Sequence, residues 1–401
     1  MKESRQPRGG RDRKGHLSAD AERLVTAALG IANSGSRVED RYWDALLGER
    51  LARLLANGHA QPVYDALERL NQTDPDSYGA LIEAVEEHSE SVTVEGDDGP
   101  WQILLISAPL VAWTRFAIPT GAIARALRDS LVDSLRSLVL AQGARLYLMP
   151  SLLSIDQLPR DYADLRRLTA RLGEACLRET PPNGQRDLPE AADMLADARF
   201  LVGAVAVRPG DPVFRWQNAD LREQGGRVQA LEKWVEHARP IAEQLLPGCG
   251  FECLLPDAYH INMRESDRRV RPYGIRASVH FLTHALDVEP AEIRAVVAGF
   301  GFERVDEYRI GLSVDRDGED VAHGVVWPLL GAESEQDDPP PLTRIRQCLR
   351  EAGITEISVW PNVTEPEYCE DCGAPMYPND KGEVVHAELP GDVSADQGHF
   401  H

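Results

Sequence analysis

Apolar residues recur at helical spacing through the first ninety positions. Leu46, Leu47, Leu51, Leu54 and Leu55 share one face of a helix expected over residues 38–56. Neighbouring helices are expected over 18–32, 62–71 and 78–90, the last with Leu81, Ile82 and Val85 inward. Ser18 or Asp20 can cap the first, and Asp74, Pro75, Asp76 and Ser77 form a helix-start signal before the last. An acidic turn over 95–100 follows, and the period then changes. Residues 101–110 are an apolar run of the kind found in a strand buried on both faces. A helix over 120–141 turns Ile123, Leu127, Leu131, Leu135 and Leu138 to one side. Strands are expected at 145–153 and 200–207, with a helix over 160–177 and a loop over 179–189 between them.

The later part of the chain alternates again. A helix over 227–246 precedes a strand over 251–261 and a helix over 274–286, which restarts at Pro290 for 291–299. Strands at 304–314 and 321–330 flank an acidic connection over 315–320. An acidic, proline-rich loop over 333–341, a helix over 342–352 and a strand over 357–360 complete the pattern. From 251 to 360 the order is strand, helix, strand, strand, helix, strand, which is ferredoxin-like. Gly299 and Gly353 stand where a left-handed cap would end each helix. The first half echoes the second: Arg115, Pro119 and Gly121 align with Arg268, Pro272 and Gly274 at one offset, which also lays 78–90 over 231–243. The expected fold is therefore α+β, with two related ferredoxin-like modules from an internal duplication, a helical N-terminal segment and a C-terminal zinc-knuckle-like extension. The divisions are a basic tail over 1–17, helices over 18–94, modules over 95–210 and 211–362, the knuckle over 363–390 and a flexible tail over 391–401.

The chain has 401 residues, enough for two cores. Its formal net charge of -22 repels phosphate backbones, so nucleic acid is expected only at the N-terminal tail, where Lys2, Arg5, Arg8, Arg11, Arg13 and Lys14 cluster. No apolar stretch follows that tail, so it is not read as an export signal. The most apolar stretch, 101–118, is broken by Gln102, Pro109 and Arg115, and no membrane span is expected. Six cysteines do not make a disulfide framework, and a cytoplasmic protein with reduced thiols is expected.

Chemistry concentrates near the C-terminus. Cys369 and Cys372 are two residues apart, and Gly373 follows. This knuckle spacing lets two thiolates converge on one zinc ion. His386 is the nearest downstream third ligand; Cys249, Cys253, His399 or His401 are candidates for a fourth. A knuckle held by hydrogen bonds alone, or a redox pair, is the alternative. A second candidate is an anion site for a phosphate, a nucleotide or an acidic segment. It comprises Arg115 in the first copy of the repeat and Arg268, Arg269, Arg271, Tyr273 and Arg276 in the second, beside Arg264. Free N–H groups at a helix start would assist it. The competing reading pairs these arginines with Glu265, Asp267 and the acidic body. His280 and His284 lack the Glu of a zincin helix, and there is no phosphate-binding Gly-rich loop, nucleophile elbow or dinucleotide fingerprint.

Residues 368–378 and 382–390, with the segment from Arg268 to Tyr273 and the segment from His323 to Leu330, resemble a bacterial family of uncharacterised proteins carrying a C-terminal Cys-x-x-Cys-Gly motif. The resemblance covers most of the chain after the basic tail and implies no activity. The expected function is a binding or regulatory module with a structural zinc knuckle, acting on an anionic small molecule or a protein partner, with a homo-oligomer left open. The alternatives are an enzyme for a phosphorylated or carboxylated small molecule in a cleft lined by Arg268, Arg271 and Tyr273, and an RNA-associated protein.

Overall fold

The computed structural model describes residues 17–178, 180, 188–217, 226–302, 304–314, 319–331 and 333–390. The basic stretch 1–16, the tail over 391–401, most of the 179–189 loop and residues 315–318 lie outside the described residues. The chain divides into two compact units, Met1–Leu104 with Pro159–Glu174, and Leu105–Leu158 with Ala175–His401. Among the described residues no helix is long and apolar enough to cross a membrane.

The first unit contains α1 (Ala19–Ala32), α2 (Arg37–Ala56), α3 (Gln61–Thr73) and α4 (Pro75–Glu90). Each start has a local cause. Ser18 accepts from the Ala21 N–H at 3.2 Å, Ser36 from Glu39 at 3.3 Å, and Asp74 from Ser77 at 3.1 Å with Pro75 in the first turn. The apolar faces share a core that includes Leu24, Leu47, Leu51, Val63, Leu81 and Val85. α4 runs into β1 (Ser91–Gly96), which pairs antiparallel with the start of β2 (Gly99–Trp113).

The second unit carries two sheets. In the first, the later part of β2 joins β5 (Ala196–Val207), then β4 (Arg145–Leu153), then β3 (Gly121–Ala122). β6 (Gly250–Cys253) and β7 (Asp257–Ala258) also pair antiparallel with β2. The intervening helices are α5 (Arg125–Ser134), extended by a π turn over Leu135–Val139, the end of α6 (Tyr162–Arg178), whose residues to Glu174 belong to the first unit, α7 (Gly226–Leu245) and α8 (Tyr259–Leu286).

The second sheet is built from β8 (Arg294–Phe300), β9 (Glu307–Ser313), β10 (His323–Pro328) and β11 (Glu356–Val359), in the order β10-β9-β8-β11. The first three form an antiparallel meander. β11 returns parallel to β8 after α9 (Pro341–Glu351), as a crossover helix allows. Ile310 and Leu312 of β9 and Val325 and Trp327 of β10 pack with Ile275 and Leu282 of α8 and with Ile345 and Leu349 of α9.

The α+β class expected from the chain is observed, with corrections inside it. Residues 291–299 are not helical beyond a 3-10 turn at Pro290–Glu292; they form β8. Ala295, Val296, Val297 and Ala298 are all buried, and a short, wholly apolar run does not separate strand from helix by periodicity. The strand expected over 251–261 stops at Cys253, and Tyr259 already begins α8, which continues through Pro272. The inward residues of its first turns, Asn262 and Ser266, sit at helical spacing but are polar, so they give no apolar signal. β6 pairs with β2 in the first sheet and not with β8–β11. The ferredoxin-like arrangement over 251–360 is therefore not formed. The proposed duplication loses its anchor too: Pro119 precedes the two-residue β3, whereas Pro272 and Gly274 lie inside α8.

Candidate metal centre

The second sheet has two different faces. Along β9, Tyr308, Ile310 and Leu312 point to the helix-covered core, so Arg309 and Gly311 point the other way. The C-terminal segment lies on that second face. A Cβ on Gly311 would stand 2.2 Å from the Pro378 carbonyl oxygen, and one on Gly324 2.2 Å from the Tyr377 ring. Glycine at both positions lets β12 (Tyr377–Pro378) approach closely. β12 turns back into β13 (Val384–Val385). The fully buried Asn379 closes that turn: its Oδ1 accepts from the N–H groups of Lys381 (3.0 Å) and Glu383 (2.9 Å), and its Nδ2 donates to the Glu319 carbonyl (2.9 Å). The Glu388 N–H then donates to the Val321 carbonyl at 2.9 Å, which fixes the segment after β13 that carries His386.

The cysteine turn is equally defined. The Gly373 N–H donates to the Cys369 carbonyl and the Cys369 N–H to the Ala374 carbonyl, each at 2.8 Å. Gly373 has φ of 75°, the left-handed region glycine enters without steric cost. Arg309, with 0% exposure, holds the base of this turn. Its Nη1 donates to the carbonyls of Glu367 (2.6 Å) and Met376 (2.9 Å), one on each flank, and its Nε meets Glu307 Oε1 at 2.7 Å. The guanidinium lies 4.5 Å from the Phe300 ring centroid and 4.9 Å from that of Tyr368. Arg309 was not among the residues singled out from the sequence. Its signal there is an arginine inside the apolar strand run from Tyr308 to Leu312.

These two supports bring together the expected ligands. The donor atoms of Cys369, Cys372 and His386 all lie within 4.8 Å of one another. Cys372 Sγ is 3.3 Å from His386 Nε2, and His386 Nδ1 is 3.1 Å from Glu388 Oε1. Ligands around a tetrahedral zinc stand about 3.5–4 Å apart, so the set fits such an ion with small adjustment. The carboxylate on Nδ1 leaves Nε2 facing the thiols, the outer-shell arrangement common to metal-binding histidines. Backbone N–H groups of Cys372 and Asp371, with the Cys372 side chain, hold the Cys369 thiol below its ordinary pKa. Burial acts oppositely elsewhere, pushing Cys176 and Cys253 up to about 11 and raising Cys249 and Cys348. Thiolate and imidazole donors suit zinc. Cys249 and Cys253 belong to the β6 region and are not in the group; His399 and His401 lie outside the described residues.

The arginines of the other candidate site are placed as follows. Arg271 is buried and makes a two-pronged pair with Glu333 at 2.7 and 3.0 Å, besides donating to the Pro328 carbonyl at 2.7 Å. Arg269 meets Glu265 at 2.8 Å and Glu252 at 3.4 Å, Arg268 lies 3.7 Å from Glu265, and Arg276 meets Glu351 at 2.8 Å. The Tyr273 hydroxyl donates to Glu252 at 3.1 Å, and its ring stacks on Trp113 with centroids 3.9 Å apart. The Arg115 guanidinium is 5.3 Å from the Phe116 ring centroid. Because Pro272 is inside α8, the free N–H groups of a helix start are not beside these arginines.

No curated protein and no solved structure matches the chain. One family does, over residues 10–400, and that span places the chain in the family described as Protein of unknown function (DUF2863).

Proposed function

We propose that residues 363–390 are a zinc knuckle with Cys369, Cys372 and His386 as ligands, and that the chain is a binding or regulatory module stabilised by it. The observation that carries the reading is the convergence of three donor atoms, from the cysteine turn and the segment after β13, within 4.8 Å. The hairpin and the Arg309 clamp hold those two segments through contacts that involve no metal, so the ion would find its ligands already close. Ion binding would then tie the cysteine turn to the segment of His386 and stabilise both.

Metal analysis of the full chain, purified without chelator, tests this. One zinc per chain is expected, with loss of the ion in Cys372→Ser and His386→Ala. A folded wild-type chain that neither contains zinc nor takes it up against a chromophoric chelator would refute the proposal.

A further inference from the structure

A cavity of about 360 Å³ lies beside His386. Val321, Ala322 and Leu389 contribute apolar wall, whereas Asp320 and Glu388 contribute carboxylates. Among the described residues no lysine or arginine lines it. A concavity that pairs apolar wall with polar groups can hold a small amphipathic molecule. The charges select the ligand. Two carboxylates on a chain of net charge -22 attract a cation and repel an anion. Glu388 has a second role, because its Oε1 is 3.1 Å from Nδ1 of His386, whose Nε2 faces Cys372 Sγ at 3.3 Å.

We propose that this cavity binds a protonated primary amine on a short apolar chain, and that the amine and the zinc ion weaken each other's binding. The coupling rests on the zinc reading above; the amine site does not. The ammonium donates to Asp320 and Glu388, and its alkyl chain lies against Val321, Ala322 and Leu389. At Glu388 it competes with the Nδ1–H of His386, removing the hydrogen bond that makes the imidazole a better donor. The coupling is reciprocal by linkage. The ammonium can belong to a free alkylamine or to a lysine side chain, and the same chemistry recognises both.

The test titrates the full-length chain, metal-free and zinc-loaded, with n-butylamine, Nα-acetyl-lysine amide, 1-butanol and butyrate by calorimetry. Saturable binding of an amine to the metal-free chain is expected, with none for the alcohol or the acid. Tighter binding of the lysine derivative identifies a protein side chain as the ligand; tighter binding of butylamine identifies a free amine. Asp320→Asn changes an exposed residue, so the fold is retained, and it should weaken the amine about tenfold through one lost charge-assisted hydrogen bond. Zinc loading should weaken the amine further, and Glu388→Gln should remove that effect. Absence of amine binding to the metal-free chain, or equal binding of 1-butanol, overturns the cavity assignment. If the chain binds no zinc, the knuckle reading falls while the metal-free titration still decides the cavity. Amine affinity unchanged by zinc in a zinc-loaded chain overturns the coupling alone.

Discussion

Arg309→Met removes the clamp on the cysteine turn while keeping an unbranched side chain of similar reach. The guanidinium donates to two backbone carbonyls, of Glu367 at 2.6 Å and Met376 at 2.9 Å. Hydrogen bonds from a charged donor net about 1.5–3 kcal/mol each. The substitution also leaves Glu307 without its 2.7 Å partner. Breaking a buried pair costs about 3–5 kcal/mol, but the Glu307 side chain is 21% exposed and can recover hydration, which places its share at the low end. The methionine stem keeps apolar contact with Phe300 and Tyr368, a partial offset. These terms overlap, so a net loss of about 3 kcal/mol is expected, felt in the segment that Arg309 holds. That corresponds to about 10²-fold in a local opening equilibrium. Hydrogen exchange of the full chain, read by mass spectrometry, reports it directly. Peptides spanning 364–378 should exchange about 10²-fold faster, while α8 peptides keep their protection. Arg309→Lys, which retains the charge but loses the planar fork, should fall between. Unchanged protection over 364–378 in the methionine variant would show that Arg309 is not what holds the turn.

Two further outcomes follow from contacts of the same sheet and its flanking helices. Burial alone would raise the Glu333 pKa, but hydrogen bonds from Arg271 and the Leu330 N–H, with the charges of Arg271 and Arg344, hold it at about 2 against an ordinary 4.5. A depressed folded-state pKa means stability that is complete above about pH 4.5 and is lost as pH falls toward 2, about 3 kcal/mol in all. Glu333→Gln should be less stable at pH 7, because Arg271 is left buried and unpaired, and should lack that acid-dependent step in urea unfolding; an acid slope equal to the wild type would contradict the assignment. Gly324→Ala places a methyl 2.2 Å from the Tyr377 ring. It should destabilise the hairpin by about 1–3 kcal/mol and speed proteolysis after residue 360, and wild-type resistance would show that the close approach is not needed.

Much of the helical layer was legible because its causes are local. Ser18, Asp74 and Pro75 mark helix starts through neighbours three residues away. Leu47, Leu51, Leu54 and Leu55 fall on one buried face, as their spacing requires. Strand pairing was not legible in the same way. Nothing within Phe251–Cys253 distinguishes a partner in β2 from a partner in β8, because either choice buries the same apolar surface. The α8 start was hidden by its chemistry: Asn262 is buried because its side-chain amide donates to the Ser107 and Leu255 carbonyls, at 2.6 and 3.1 Å. Pattern reading assigns such a residue to the surface, since it prices polar groups by solvation and not by the partners a fold supplies.

The site divides along the same line. Cys369, Cys372 and Gly373 announce themselves because a knuckle turn is four or five residues long. Arg309, Gly311 and Gly324 belong to the site as firmly, yet they read as defects in two apolar strands. Their pattern nonetheless contains the answer. A strand face left to water carries polar side chains, and a face covered by a helix carries large apolar ones. The second face of β9 and β10 fits neither: beside Glu307, Ser313 and Val326 it carries one buried arginine and two glycines where a Cβ would collide. Glycines at such positions imply that another backbone lies directly on the strands. A buried arginine beside them implies that this backbone presents carbonyl oxygens, since a guanidinium has five donors to satisfy and no acceptor. The two flanks of the cysteine turn provide them, through the carbonyls of Glu367 and Met376. The departures from strand alternation thus mark the seat of the cysteine turn, and they make the segment that carries Cys369, Cys372 and His386 a layer of the sheet structure.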